Sequence, residues 1–167
     1  NHYRTLYDLS DEPEKIKKYI EGMVNDLERT NQIGKTSNKI LDLILSKYNY
    51  ICEKNHITFE KNIHNSEVSF IADNDLTSIL NNMLDNAIES TVKSNRKFIT
   101  IGINKLRNML VIDVTNSSDT PPMVKNGRLI STKKSVGLHG YGFKSICRTA
   151  KKYNGDVEWE YNEDAKE

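Results

Sequence analysis

The chain has 167 residues and a mass of 19.2 kDa, which is enough for one domain with a hydrophobic core and a short appended segment. Its 24 Lys and Arg residues and 23 Asp and Glu residues give a net charge of +1, so the charge balance does not indicate a nucleic-acid-binding surface. No run approaches the ~20 apolar residues that span a bilayer. Two cysteines are too few for a disulfide framework and favour a reducing compartment.

The first thirty residues predict two short helices joined by a turn. Ser10-Asp-Glu-Pro13 supplies a capping residue, acidic first-turn residues and a proline at a helix start, and apolar residues then recur at helical spacing up to Leu27. We predict that residues 1–32 form a helical hairpin stub and that residues 33–167 form the main domain. The chain begins with Asn1 and not with Met, so we expect it to be a segment of a longer protein.

Helical and strand patterns alternate along the main domain. Apolar residues recur every three or four positions in some segments and at every second position in others. The predicted helices cover residues 40–55, 76–92 and 143–153. The predicted strands cover residues 57–63, 98–106, 109–115 and 156–161.

Capping and turn residues support these bounds. Ala72-Asp-Asn-Asp75 predicts a helix cap, Arg107-Asn108 a hairpin turn and Gly155 the end of the last helix. Residues 116–139 contain Pro121-Pro122 and little periodicity, and a loop of this length is either disordered or a functional lid. The order of elements predicts an α/β (α+β) two-layer sandwich, with a mixed sheet and helices on one face.

The predicted helix over residues 76–92 carries an unusual polar stripe. Its apolar face contains Ile79, Leu80, Met83, Leu84 and Ala87, and its polar face contains Asn82, Asp85, Asn86 and Glu89. Asn costs a helix about 0.5–0.7 kcal/mol relative to Ala, so solvation alone explains three Asn in six positions poorly. Amide and carboxylate oxygens spaced i, i+4 suit a hard cation such as Mg²⁺.

A second pattern, His139-Gly-Tyr-Gly-Phe-Lys-Ser-Ile146, places two glycines where a helix begins after the long loop. Free backbone N–H groups at a helix N-terminus bind anions. An ordinary loop-to-helix turn explains this pattern equally well when it is taken alone. Together with the polar stripe it indicates a site for a magnesium-bound nucleotide.

Residues 82–89, Asn-Met-Leu-Asp-Asn-Ala-Ile-Glu, resemble the N box of the GHKL ATPase superfamily, which includes gyrase and the histidine kinases. Three further segments resemble its G2 region in the form found in peptide-pheromone receptor kinases of the accessory-gene-regulator type. These segments are Ser131-Thr-Lys-Lys134, residues 139–146 and Lys151-Lys-Tyr-Asn-Gly155. The resemblance covers residues 34–161 and implies the Bergerat ATPase fold, with ATP and Mg²⁺ as cofactors and residues 116–139 as the ATP lid.

The resemblance also implies a set of site residues. Asn86 would be the Mg²⁺ ligand that bridges the ATP phosphates, with Asn82 supporting it from one turn earlier, and these two are the predicted catalytic residues. The implied nucleotide-binding set is Asn82, Asp85, Asn86, Asn116, Lys133, Lys134, His139, Gly140, Tyr141, Gly142, Phe143 and Lys144.

The chain departs from the family pattern at the adenine-binding box, D-x-G-x-G, whose Asp accepts the adenine amino group. Residues 116–119, Asn-Ser-Ser-Asp, stand in its place. Asn116 could still pair with adenine because an amide both donates and accepts hydrogen bonds. Asp119 is a rival anchor, and the sequence leaves the two open.

Asn1-His2-Tyr-Arg-Thr-Leu6 resembles the second half of the phospho-acceptor box of histidine kinases, with the phosphorylated histidine just before Asn1. His2 itself is the alternative acceptor. The resemblance implies the cytoplasmic catalytic domain of a membrane-bound, quorum-sensing two-component receptor, homodimeric at full length, with a response regulator as its partner. We expect no nucleic-acid partner and no direct membrane contact by this segment.

Two other functions stay open. The stripe and the glycines could be structural in a non-catalytic dimerisation or interaction module. Alternatively, the chain could be a serine kinase of the same superfamily, similar to anti-sigma factors. The similarity of residues 1–6 to a histidine acceptor box favours the histidine kinase.

Overall fold

The computed structural model describes residues 13–14, 36–63, 68–125, 128–129 and 141–163. The described residues from Thr36 onward belong to one compact unit, Lys35–Glu167. In the predicted helical stub only Pro13 and Glu14 are described, and both are helical. The rest of residues 1–32 lies outside the described residues, so the stub and its boundary stay predictions.

Three helices and five strands make up the described part of this unit. The helices are α1 (Lys39–Lys54), α2 (Asp73–Thr91) and α3 (Tyr141–Lys152). The strands are β1 (Thr58–Ile63), β2 (Phe98–Leu106), β3 (Met109–Asn116), β4 (Val124–Lys125) and β5 (Arg128–Leu129). No helix among the described residues combines the length and the apolar character that a bilayer crossing requires.

The main sheet has the order β1-β2-β3 and is mixed. β1 runs parallel to β2, with Phe59 opposite Ile99, and β3 runs antiparallel to β2, with Val114 opposite Ile101. The hairpin turns at Arg107 and Asn108, as the sequence predicts. Two-residue strands β4 and β5 pair antiparallel inside the predicted lid, which the sequence did not indicate.

The core lies between one face of this sheet and helices α1 and α2. Alternate residues of β2 supply the sheet's share of it, because Ile99, Ile101 and Ile103 are completely buried. Glu60 of β1 and Asp113 of β3 are exposed on the opposite face. The fold is therefore the predicted α+β arrangement of a three-stranded mixed sheet and helices. The fully buried hydrophobic residues of the two helices include Leu41, Leu45, Tyr48, Leu76, Leu80 and Leu84.

Helix α2 begins three residues earlier than predicted. Asp75 and Leu76 both donate backbone hydrogen bonds to the Ala72 carbonyl, at 2.9 Å each. Ala72 is therefore the N-cap, and it has no side-chain cap hydrogen bond. Asp73 and Asp75 lie in the first turn of the helix and do not cap it. Their negative charges interact favourably with the positive end of the helix dipole.

The end of α3 differs from the prediction as well. Asn154 and not Gly155 adopts the left-handed conformation, with φ of 57°. Gly155 follows it and donates its N–H to the Ala150 carbonyl at 2.9 Å. Asn tolerates left-handed φ better than most residues, so it ends this helix.

The predicted strand over residues 156–161 was wrong, since no strand is assigned between Gly155 and Asn162. Period-two alternation produces a strand only where a neighbouring backbone pairs with it. Among the described residues no backbone–backbone hydrogen bond reaches this segment. Its Tyr161 hydroxyl instead donates to the Ser118 carbonyl at 3.2 Å.

Asp75 connects the start of α2 to the end of α3. Its Oδ2 accepts hydrogen bonds from the Lys152 ammonium and from the Tyr153 hydroxyl, the latter at 2.6 Å. The Tyr153 hydroxyl also accepts from the Ala72 backbone N–H at 3.0 Å. These bonds from Lys152 and then Tyr153 lower the pKa of Asp75 below its ordinary 3.8. The contact holds α3 antiparallel to α2.

Arg107 adopts a φ of 56° in the hairpin turn, a left-handed conformation that is unfavourable for residues with a Cβ atom. We expect Arg107→Gly to raise the free energy of unfolding by about 0.5–1 kcal/mol, because glycine carries no such penalty. Urea denaturation measures this difference. Asn108→Gly is the control, since φ at Asn108 is not positive and only the entropy of the unfolded chain increases. Equal effects of the two substitutions would contradict the interpretation.

The lowered pKa of Asp75 predicts an acid-sensitive contribution to stability. The contribution is fully present above the ordinary value of 3.8 and is lost as the pH falls through the lower folded-state pKa. We expect Asp75→Asn to lower the free energy of unfolding at pH 7 and to have a smaller effect at pH 3, below the ordinary pKa of the carboxyl. Denaturation at both pH values, with Asp73→Asn as a control from the same turn, tests this. A constant difference at both pH values would exclude the mechanism.

Candidate functional site

Helix α2 presents two separate pairs of polar residues, each spaced i, i+4. Asn81 and Asp85 form one pair, and Asn82 and Asn86 form the other. Residues four apart lie on the same side of a helix, and the next pair along is rotated by about 100°. The sequence analysis placed Asp85 in one stripe with Asn82 and Asn86, whereas the tertiary structure gives the two pairs different neighbours.

The first pair is held by α1. The Tyr48 side chain is completely buried, and its hydroxyl donates to Asp85 Oδ1 at 2.7 Å. Asn81 Oδ1 lies 3.0 Å from the same hydroxyl and accepts from Lys47 Nζ at 3.2 Å. Burial and then the hydrogen bond to Asp85 raise the pKa of Tyr48 far above its ordinary value, so its hydroxyl stays a neutral donor.

The second pair faces the start of α3. Asn82 is half-buried, and its Nδ2 donates to the Ser78 carbonyl at 2.7 Å. This bond directs the other amide atom, Oδ1, toward α3, where a methyl group at Gly142 would lie only 3.0 Å from it. The hydroxyls of Ser78 and Ser145 lie 3.4 Å apart one turn further along the same contact. Gly142 therefore leaves a space beside Asn82 that any larger side chain would fill.

The Asn86 side chain is exposed and makes no hydrogen bond to a described residue. The amide oxygens of Asn82 and Asn86 are hard donors of the kind that Mg²⁺ accepts alongside phosphate and water. The first backbone N–H groups of α3 have no partner within that helix, which suits phosphate oxygens. These residues therefore fit a magnesium-bound nucleotide. In the described part of the chain, no three His, Cys, Asp or Glu side chains cluster as an alternative metal site.

The two candidate adenine anchors lie in different environments. Asn116, the last residue of β3, is half-buried, and its Nδ2 donates to the Ser117 carbonyl at 3.0 Å. Asp119 accepts from the Ser94 hydroxyl at 3.1 Å and from the Asn95 N–H at 2.7 Å. Both carboxylate oxygens of Asp119 are thus engaged by the turn that follows α2.

Two buried hydroxyls join the end of α2 to the end of β3. Thr91 is completely buried, and its Oγ1 donates to the Ser117 carbonyl at 3.2 Å. Ser117 is also completely buried, and its Oγ donates to the Arg96 carbonyl at 2.7 Å. These contacts hold Asn116 close to the last turn of α2.

Sequence reasoning did not single out Tyr48, Thr91 or Ser117. A tyrosine inside an apolar helical stripe does carry a signal, because its buried hydroxyl needs a partner. The identity of that partner, Asp85, depends on how α1 packs against α2. The two small hydroxyl residues carry no comparable signal.

The remaining predicted site residues divide between described and undescribed segments. Tyr141 is the first residue of α3, Phe143 is half-buried in its first turn and Lys144 is exposed there. Lys133, Lys134, His139 and Gly140 lie outside the described residues, so their predicted roles are not tested. Within the described part, the structure brings Asn82 and Gly142 together.

The family model of the GHKL domain matches residues 71–166, more than half of the chain. The chain belongs to the GHKL domain family. The match contains α2 and α3, and it supports both an ATP-binding function of the ATPase or kinase type and the GHKL fold. The superfamily predicted from residues 82–89 is thereby confirmed. No curated protein matches the chain significantly.

The close approach of Gly142 to Asn82 predicts an effect on nucleotide binding. Gly→Ala inside a helix stabilises by about 1 kcal/mol, but here the methyl group must displace Asn82 Oδ1. We expect Gly142→Ala to weaken ATP binding severalfold, with little change in the melting temperature. Calorimetric titration with ATP measures the affinity.

Gly155→Ala is the matched control, because its methyl group would meet only atoms of Ala150, the nearest being the carbonyl oxygen at an ordinary 3.4 Å. We expect this variant to bind ATP like the unmodified chain. Equal ATP affinity of the two alanine variants would show that the space beside Asn82 is not used by the nucleotide.

Proposed function

We propose that the chain is the ATP-binding catalytic domain of a two-component sensor histidine kinase. It binds Mg-ATP and donates the γ-phosphoryl group to a histidine of the acceptor box that Asn1-His2 resembles. The observation that carries the proposal is the close approach of Asn82 Oδ1 to Gly142 at the start of α3, because it brings together the two segments that resemble the N box and the G2 region. The GHKL match covers both segments.

The proposed site uses oxygens of α2 and backbone donors of α3. Asn86 is the proposed metal ligand, and Asn82 is oriented toward the same space by its bond to the Ser78 carbonyl. Mg²⁺, when bound, supplies positive charge that offsets the charge on the transferred phosphoryl group. The N–H groups of the first turn of α3 bind phosphate oxygens, with Lys144 exposed in that turn.

We propose that lid residues complete the phosphate site. Lys133 and Lys134 would add positive charge, His139 would contact phosphate, and Gly140 would allow the lid to close. The support for these roles is the resemblance of residues 131–146 to the G2 region.

Asn116 is the proposed adenine anchor. The support comes from the hydrogen bonds of its rival, because both oxygens of Asp119 already accept bonds from Ser94 and Asn95. Asn116 Oδ1 makes no hydrogen bond to a described residue, so it can accept from the adenine amino group. Thr91 and Ser117 hold the backbone at this point.

The proposed biological setting is the cytoplasmic side of a membrane-bound, quorum-sensing receptor that acts as a homodimer. Its phosphoryl group would pass to a response regulator. The resemblance of residues 1–6 to the acceptor box and of the G2 region to pheromone-receptor kinases supports this setting. An assay that separates phosphohistidine from phosphoserine distinguishes it from a serine kinase of the same superfamily.

Calorimetric titration with ATP, once with Mg²⁺ and once with EDTA, tests the proposed function. We expect saturable one-site binding that weakens without metal. Asn86→Ala should abolish the metal dependence, because it removes the proposed ligand oxygen without disturbing a described hydrogen bond.

Asn74→Ala is the matched control. Asn74 is exposed on the same helix, twelve residues before Asn86, which is about 18 Å along the helix axis. Unchanged ATP affinity of Asn86→Ala in magnesium would overturn the ligand assignment. A folded chain that binds no ATP at millimolar concentration would favour a non-catalytic interaction module.

A further inference from the structure

Tyr48 lies on α1, before the part of the chain that the GHKL family model matches. Its side chain is completely buried, yet its hydroxyl reaches Asp85 Oδ1 at 2.7 Å on α2. Asp85 directly precedes Asn86, the proposed metal ligand. A residue outside the matched region thus contacts the helix that carries the site.

Neighbouring groups fix the Tyr48 hydroxyl in place. The surrounding α1 residues Leu41, Leu45 and Cys52 are buried in the core, which holds the helix against α2. Lys47 Nζ lies 3.4 Å from the hydroxyl and 4.5 Å from the centre of the Tyr48 ring. The hydroxyl is therefore a fixed point against which α2 is oriented.

The contacts made by α1 fall on two successive turns of α2. Tyr48 meets Asp85 and Asn81, which lie one turn apart on the same side. Contacts at two levels restrict rotation of a helix about its own axis. A rotation of about 20° moves an atom at the outer radius of a helix, about 5–6 Å from its axis, by about 2 Å. That displacement is as long as a Mg²⁺–oxygen bond.

We propose that Tyr48 is a positioning residue for the nucleotide site. Through Asp85 it sets the rotation of α2 so that Asn82 and Asn86 face the start of α3, and Asp85 anchors the helix and does not contact the nucleotide. The identity of the ligand in this proposal rests on the proposed function, whereas the orientation of α2 does not.

The first test uses Tyr48→Phe and needs no nucleotide. Replacing the hydroxyl with hydrogen keeps the buried ring, so we expect the variant to fold. The side-chain amide resonances of Asn82 and Asn86 in ¹H–¹⁵N spectra should shift, because both amides move relative to α3. Tyr50→Phe is the matched control, since Tyr50 is 41% exposed on the same helix and its hydroxyl bonds to no described residue.

The second measurement is Mg-ATP affinity. We expect Tyr48→Phe to raise the Kd about tenfold, which corresponds to the loss of one hydrogen bond to a charged group. Asp85→Asn should have a similar effect, and the double variant should be no weaker than the weaker single variant. Such non-additivity is expected when two residues act through one contact.

Three outcomes would overturn the proposal. Tyr48→Phe could match Tyr50→Phe in both the amide resonances and the Kd while only its melting temperature falls, which would show a structural role alone. Asp85→Asn could weaken binding as much in the Tyr48→Phe background as in the unmodified chain, which would make Asp85 a direct ligand. Thirdly, the amide resonances of Asn82 and Asn86 could stay unshifted in Tyr48→Phe, which would reject the positioning role whether or not the chain binds ATP. Failure of the unmodified chain to bind ATP would, by itself, reject only the proposed function.

Discussion

Helix α2 is held on one side by the core, and the candidate site residues on this helix take their places from that contact. Leu76, Leu80 and Leu84 are completely buried at successive turns, so the apolar side of α2 faces the sheet and α1. Burying side chains of this size stabilises a fold by about 1.5–3 kcal/mol each. A helix fixed in this way must present its Asn and Asp residues elsewhere, and the surrounding elements decide which of them are bonded.

Polar side chains on the rest of α2 form hydrogen bonds with two neighbouring elements, α1 and the end of α3. On one side Tyr48 and Lys47 of α1 hold Asn81 and Asp85. On the other side α3 lies antiparallel to α2, because Asp75 bonds both Lys152 and Tyr153 at its far end. This arrangement brings the start of α3 to the second polar pair. The proposed nucleotide site lies where α2 has the Asn82 amide oxygen and α3 has Gly142.

The GHKL match connects this arrangement to a function of the ATPase or kinase type, and it begins at residue 71. Helix α1 and strand β1 precede the match, yet both are part of the same core. Ile57, just before β1 in the sequence, and Val68, after it, are both buried. The Tyr48 hydroxyl bonds directly to Asp85 of α2. In this chain the matched region and the α1–β1 segment before it therefore belong to one structural unit, Lys35–Glu167.

Local patterns in the sequence were enough to predict most of the fold. Periodicity located α1, α2 and the β2–β3 hairpin, because apolar spacing reflects which side of each element is buried. The Asn-rich stripe of α2 and the glycines around the start of α3 predicted the candidate site, and the resemblance of residues 82–89 to the N box predicted the superfamily. The strand over residues 156–161 was wrong, since pairing depends on a partner backbone that no local pattern specifies.

The tertiary structure alone decided how the polar residues of α2 are shared. Asp85 and Asn86 are adjacent in the sequence, polar and exposed, but the Asp85 side chain bonds to Tyr48 and the Asn86 side chain bonds to no described residue. Likewise the structure alone shows that Ser94 and Asn95 engage both carboxylate oxygens of Asp119, whereas Asn116 Oδ1 makes no hydrogen bond to a described residue. Helical periodicity gives the direction in which a side chain leaves its own helix. The atoms that it meets there belong to segments distant in sequence, and only packing brings them together.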